Sequence, residues 1–446
     1  MRHFWLFITI WFGLASALNA QGHCSAPSVS LTFSPAMLNF DNKGQSFVSA
    51  HHGENITSLT EITRKLTACT TRNSTPTLRR LALFAQVLTS FRLQYANAYV
   101  LHEYAHAEMG HRFGTSGIMI GRSPNNNGLG PTQNDAYLQN LLRMAFGAKH
   151  PFDFAYRGVG INSTGATPEA FSGAKAQALG HAAGINLNSF LAQQDFEAMM
   201  DGEVSPSRGL NYIINKTFAP GYFMLDANIG GDPSNYVAQL TAQGITTSVD
   251  KIRKYQWAAL LLSNGYWSSL RSLRHYSQEV VDIAPIVGRL AVMTRSPNTV
   301  LYWPEFSTFL NKSGVSMAGE LPFTLGPKGR WSLGVERNII GMNQGTDITL
   351  GLKQTFNNVK ISGKFTQNTQ SGSFAEARLQ REVTKNISMI AQIFWTKGTS
   401  LIGERLSFGA SQGGHFGFKY TFRAQMIPER GQRKLRAPKN VWERQT

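Results

Sequence analysis

The hydrophobic period of this chain changes once, near Asn298, and that change limits what it can fold into. Before it, apolar residues recur at spacings of three and four; after it they alternate. Leu78, Leu81, Phe84, Leu88, Phe91, Tyr95 and Tyr99 mark one face of a long helix, with Thr75 as its cap and Pro76 in its first turn. Ile348, Leu350 and Leu352 alternate with Thr349, Gly351 and Lys353, and Phe416, Phe418, Tyr420 and Phe422 with Gly417, Lys419 and Thr421. Roughly seven to nine such stretches, with turns at Asn357-Asn358 and Gln412-Gly413-Gly414, imply antiparallel strands, enough to close a small barrel. The expected class is α+β: a mainly helical domain followed by an antiparallel β-sheet or small β-barrel.

Residues 1–20 read as a secretory signal peptide: Arg2 and His3, an apolar run from Phe4 to Phe12, then small residues with Ala15-Ser16-Ala17 as a cleavage site. A polar extension is expected over 21–75, with one strand-like run from Val29 to Phe33 and His51-His52 in a loop. The helical domain would cover 76–295, the β-domain 296–423 and a basic tail 424–446, carrying Arg430, Arg433, Lys434, Arg436 and Lys439. Inside the helical domain the pattern predicts helices over Tyr137–Phe146, from Pro168 to a break at Gly184, from a cap at Asn188 onward, over Tyr236–Ala242 and over Val249–Met293. The two cysteines, Cys24 and Cys69, could form one disulfide in an oxidising compartment.

Chemistry concentrates at His102-Glu103-Tyr104-Ala105-His106. Two histidines four residues apart project from one face of a helix, so their imidazoles can share a metal ion. The glutamate between them is placed to take a proton from a water on that metal. Downstream, Glu197 and Asp201 stand one helical turn apart.

HExxH followed by ExxxD resembles the gluzincins, the thermolysin-like zinc peptidases and their membrane-associated relatives. The resemblance covers these two short helical stretches. It implies Zn²⁺ as cofactor, with His102, His106 and Glu197 as ligands and Asp201 accepting a hydrogen bond from His102. Glu103 would be the general base. His111, His150 and His181 are the alternative third ligands, and His181, Tyr212, Tyr222 and His275 have the chemistry to stabilise an oxyanion. The metzincin pattern does not fit: Gly110 and His111 are each one residue out of register, and Arg112 occupies the third ligand's position.

The implied activity is an exported zinc metalloendopeptidase cleaving protein or peptide substrates in the periplasm or at the outer membrane. Alternating strands with aromatic residues also resemble outer-membrane β-barrels, although a soluble sheet packed on helices gives the same alternation. The alternative is therefore a non-enzymatic outer-membrane β-barrel with a periplasmic helical domain and a structural metal site. The formal charge of +17 would suit nucleic acid, but the export signal points it toward lipid headgroups or other anionic envelope surfaces, and no nucleic-acid partner is expected.

Overall fold

The computed structural model describes residues 28–33, 45–122, 131, 135–147, 159–163, 169–202, 204–226, 231–278, 299–325, 329–370, 372–384, 386–398, 401 and 412–423. The expected signal peptide, basic tail, Cys24 and His150 lie outside them. The class is α+β, with helices preceding an antiparallel sheet.

Strand β1 (Ser28–Phe33) and helix α1 (Gln45–Thr70) occupy the segment expected to be a polar extension. His51 and His52 are buried residues of α1, not loop residues. Cys69, near its end, is disulfide-bonded.

Helix α2 (Pro76–Arg112) starts as its sequence predicts: the Leu78 N–H donates to Thr75 Oγ1, and Pro76 occupies the first turn. Its apolar stripe behaves differently from expectation. Leu81 and Phe84 are each 61% exposed, while Gln86, Ser90 and Gln94 are buried toward α1. Gln86 Nε2 donates to Ser90 Oγ at 2.8 Å and to Thr63 Oγ1 at 3.1 Å, and Gln94 Nε2 donates to Thr60 Oγ1 at 2.8 Å. From Phe91 onward the stripe is covered: Phe91 and Tyr95 pack with Ala98, Leu210 and Ile214, Tyr99 packs with Ala96 and Val100, and Leu101, Ala105 and Met109 complete the buried face.

The next elements are β2 (Ile118–Arg122), α3 (Tyr137–Phe146), β3 (Val159–Ser163) and the short α4 (Glu169–Ser172). Helix α5 (Ala174–Met200) runs straight through Gly184, where a break was expected. A Cβ at Gly184 would stand 2.5 Å from atoms of the His102 ring, so this glycine makes room for an imidazole and does not end a helix. Asn188, expected as a cap, lies inside the same helix. Helices α6 (Pro206–Asp226), α7 (Asp232–Ala242), α8 (Val249–Leu262) and α9 (Asn264–Leu273) follow. The long helix expected over Val249–Met293 is interrupted at Ser263, whose extended backbone ends α8 and precedes α9; α9 ends at Leu273, and residues 279–293 of that expectation lie outside the described residues. No helix among the described residues is long and apolar enough to cross a membrane.

Strands β4 (Thr299–Leu301), β5 (Glu305–Asn311), β6 (Gly314–Leu325), β7 (Gly329–Gly341), β8 (Thr346–Phe356), β9 (Val359–Asn368), β10 (Gly372–Glu382), β11 (Ile387–Gly398) and β12 (Gln412–Arg423) pair as an antiparallel meander. Asn357 makes its expected turn with a φ of 49°, whereas Gln412-Gly413-Gly414 belongs to β12 and is not a turn. β1 joins beyond β12, so the N-terminal segment supplies an outermost strand of a 10-stranded sheet. Among the described residues the sheet is an open path from β1 to β4 and β5, not a closed ring.

Two asparagines stitch its edges to helices. At one edge Thr32 N–H donates to Asn55 Oδ1 and Asn55 Nδ2 donates to Thr32 O, at 2.7 and 2.8 Å. At the other, Leu310 N–H and C=O make the same two-way bond with Asn186, at 2.8 and 2.6 Å. An edge strand's free backbone groups are thus partly satisfied by side chains.

Register places Leu333, Leu350, Phe365, Ala375 and Trp395 in one row across five strands, and Trp331, Leu352, Gly363, Ala377 and Ile393 in the next. These rows face away from the helices; Ile393 is 64% exposed. The intervening positions include buried Thr349, Thr366 and Gln392, together with Lys353 and Lys364, which pair with α5. The sheet therefore turns its polar side to the helices. Phe374 and Phe394 depart from this, packing with Leu187 and Leu191 of α5 and Leu101 of α2, as do Leu310, Val315 and Ile340, which share a core with Ala182 and Ile185 of α5.

Candidate metal centre

The two histidines of α2 aim their Nε2 atoms at each other, 3.1 Å apart. Each is held there through its other ring nitrogen. His102 Nδ1 donates to Asn188 Oδ1 at 3.0 Å, and His106 Nδ1 donates to the Gly180 carbonyl at 2.7 Å. The orientation of the Asn188 amide is itself fixed, because its Nδ2 donates to Ala98 O and Asn215 Oδ1. Both imidazoles consequently present Nε2 lone pairs to a common point when neutral. Gly180, Gly184 and Asn188 recur every four residues on one face of α5, the face against which the imidazoles lie.

Asp232, in the first turn of α7, completes the group. Its Oδ2 lies 3.2 Å from His106 Nε2 and 3.7 Å from His102 Nε2. Three ligands on a tetrahedral ion with bonds of about 2.0–2.2 Å stand about 3.3 Å apart, so these separations fit a bound metal. His102, His106 and Asp232 form a group that could hold a metal ion. His181 Nδ1 donates to Asp232 Oδ1 at 3.0 Å, and Tyr222 OH donates to Oδ2 at 3.2 Å, so both position the carboxylate. His102 is almost fully buried, whereas Asp232 and His181 are partly exposed, which puts the open side of the group at α7.

The metal-free electrostatics follow from this crowding. Burial opposes a charge on His106, but the Asp232 carboxylate, with help from Glu103 and the Gly180 carbonyl, raises its pKa to about 9. Burial likewise works against ionised Asp232, yet His106 and the hydrogen bonds from the three histidines hold it well below the ordinary carboxylate range. Glu103 moves the other way: burial raises it, aided by repulsion from Asp232 and opposed by the two imidazoles and a hydrogen bond from Tyr99. Burial therefore makes Glu103 a stronger proton acceptor than an exposed glutamate, which is the property a general base needs.

The structure does not bring Glu197 or Asp201 to this group, which corrects both expected roles. Glu197 follows Gly184 along α5 by about 20 Å at 1.5 Å per residue, and its carboxylate pairs with Lys364 of β9. Asp201 accepts from Arg330 Nη1 at 2.6 Å and pairs with Lys353. Asn188 takes the place expected for Asp201 as partner of His102. Of the other candidates, His111 is exposed at the end of α2, Tyr212 is buried with its hydroxyl donating to Glu305 at 2.6 Å, and His275 lies in the turn after α9. His181 and Tyr222 do reach the group, through Asp232. Asp232 was missed because its only local signal is an acidic residue with Pro233 at a helix start, a common N-terminal pattern. Comparison with known protein families, with curated proteins and with solved structures finds no match to this chain.

Proposed function

We propose that this chain is a zinc-dependent metallopeptidase of the HExxH type, with His102, His106 and Asp232 as ligands and Glu103 as general base. The observation that carries this reading is the convergence of both imidazole Nε2 atoms on one Asp232 oxygen, beside a glutamate with a raised pKa. Two nitrogens and a carboxylate oxygen suit Zn²⁺, which when bound supplies Lewis acidity that lowers a water's pKa and polarises a carbonyl. The ligand set departs from the gluzincin pattern at its third member, where an aspartate from a helix start replaces the glutamate of ExxxD.

Each residue then has a task. Asn188 and Gly180 keep the protons of His102 and His106 on Nδ1. His181 and Tyr222 hold Asp232 facing the imidazoles, and Tyr222 is close enough to turn toward a substrate carbonyl oxygen. Glu103 takes a proton from the attacking water and hands it to the leaving amine, with Tyr99 fixing its carboxyl group.

The test is metal content together with peptide hydrolysis for the parent, Glu103→Gln, His106→Ala and Asp232→Ala. The parent should hold one zinc per chain and cleave peptides. Glu103→Gln should keep the zinc and lose about 10²- to 10⁴-fold in turnover. The other two should lose both. The outward apolar side of the sheet favours a second reading, in which the β-domain carries the function and the metal is structural. Parent and Glu103→Gln would then be equally inactive with zinc still bound.

A further inference from the structure

A sheet that folds over a water-soluble core points apolar side chains at its helices and polar ones at water. Over most of β7 to β12 this one does the reverse. Along β8 the outward positions are Ile348, Leu350, Leu352, Gln354 and Phe356. They span about 27 Å along the strand, or about 20 Å at a usual tilt of about 40°, and membrane-embedded β-walls carry an apolar band of about 25 Å. Among the described residues, charged side chains on this face sit at its two ends. Arg337 and Lys397 are exposed toward one rim and Arg381 toward the other, while the rows through Phe365 and Gly363 carry none. Those basic rims complement anionic headgroups.

The apolar surface also continues past the β5 edge. Ser263 Oγ donates to Phe306 O and accepts from Phe306 N–H, bringing α8 and α9 against that edge, and exposed Leu261, Leu262 and Trp267 extend the surface there. The Trp267 and Trp303 indole N–H groups donate to carbonyls of Leu261 and Leu262, so neither needs water. On the opposite side of the sheet a cleft lined by Glu54, Arg208, Lys360, Glu376 and Arg378 keeps charge between strands and helices. At each sheet edge one residue, Thr32 or Leu310, has both backbone groups bonded to a helix asparagine.

We infer that the outward face of the sheet is seated in a lipid bilayer bearing anionic headgroups, with the helices covering its other face. This stands independently of the metal chemistry. It also orients the metal centre: Leu101 and Ala105, on the helix of His102, pack with Phe374 and Phe394, which lie beside Lys397 in the β10–β11 pairing. The metal centre is therefore at the rim marked by Lys397 and not at the one marked by Arg381.

The experiment is flotation of the purified full chain with phosphatidylcholine vesicles containing phosphatidylglycerol, followed by washes in high salt and alkaline carbonate. A parallel set carries brominated acyl chains to quench tryptophan. The chain should float and stay bound through both washes, with quenched fluorescence. Trp395→Phe, a mild change, should keep flotation and reduce the quenched signal. Leu350→Arg should lower the floated fraction about tenfold. Failure to float, release by salt alone, or equal quenching in Trp395→Phe and the parent would overturn the inference. A discrete dimer in lipid-free buffer that shields Trp395 would overturn it too, by assigning the face to a second copy.

Discussion

From Gly180 to Asn188, α5 faces two imidazoles; from Gln193 to Asp201 it faces lysines and an arginine of the sheet. The first half uses the smallest and most neutral groups available, a carbonyl, a glycine and an amide. The second uses full charges: Glu197 with Lys364, and Asp201 with Arg330 and Lys353. A metal centre tolerates few charges besides its ligands, because a nearby cation competes for the carboxylate and lowers metal affinity. A helix crossing the polar side of a sheet has the opposite need, since every inward lysine requires a partner. The pair expected, from the gluzincin resemblance, as a metal ligand and as the partner of His102 is thus an anchor between layers, and the residues that looked like a helix break and a cap line the imidazoles.

That division can be broken at either end. The largest effect should come from Gly184→Val, whose Cβ would enter the His102 ring. Zinc should be lost outright and stability should fall by about 1–3 kcal/mol, read by elemental analysis and thermal unfolding. Asn188→Leu removes the acceptor that fixes the His102 tautomer, and should weaken metal binding about 10- to 100-fold in chelator competition.

Metal uptake should also depend on pH in a definite direction. Metal must displace the proton that Asp232 helps hold on His106, so affinity should rise by about tenfold per unit as pH approaches 9, then level off. In the metal-free protein the sign reverses. The folded value of His106, raised from 6.5 to about 9, gives stability that is fully present below 6.5 and lost as pH rises through 9. Unfolding with and without zinc across that window would show the two trends crossing. The smallest effect on the metal belongs to Glu197→Ala: zinc content should not change, while the sheet contact weakens by about 1–2 kcal/mol because Lys364 loses a partner. Loss of zinc in that variant would return Glu197 to the metal centre and collapse the contrast between the two halves of α5.

The sequence by itself determined the α+β order, the cap at Thr75, the HExxH face and the alternation of the strands. Each is set by side chains within one turn or one strand, where local periodicity and capping act directly. Only the tertiary structure decided the rest. Asp232 joins His102 and His106 because α7 packs beside α5, the helix against which both imidazoles lie, and nothing in its neighbourhood along the chain encodes that meeting. Gly184 reads as a break until a ring is seen against it. The alternation of β7 to β12 says that one side is apolar but not which side the helices cover. That choice was made by Glu54, Glu197 and Asp201, whose carboxylates pair with Lys419, Lys364 and Lys353 and so draw the charged side of the sheet inward. Pairing across such distances depends on where whole elements pack, which no local period can carry.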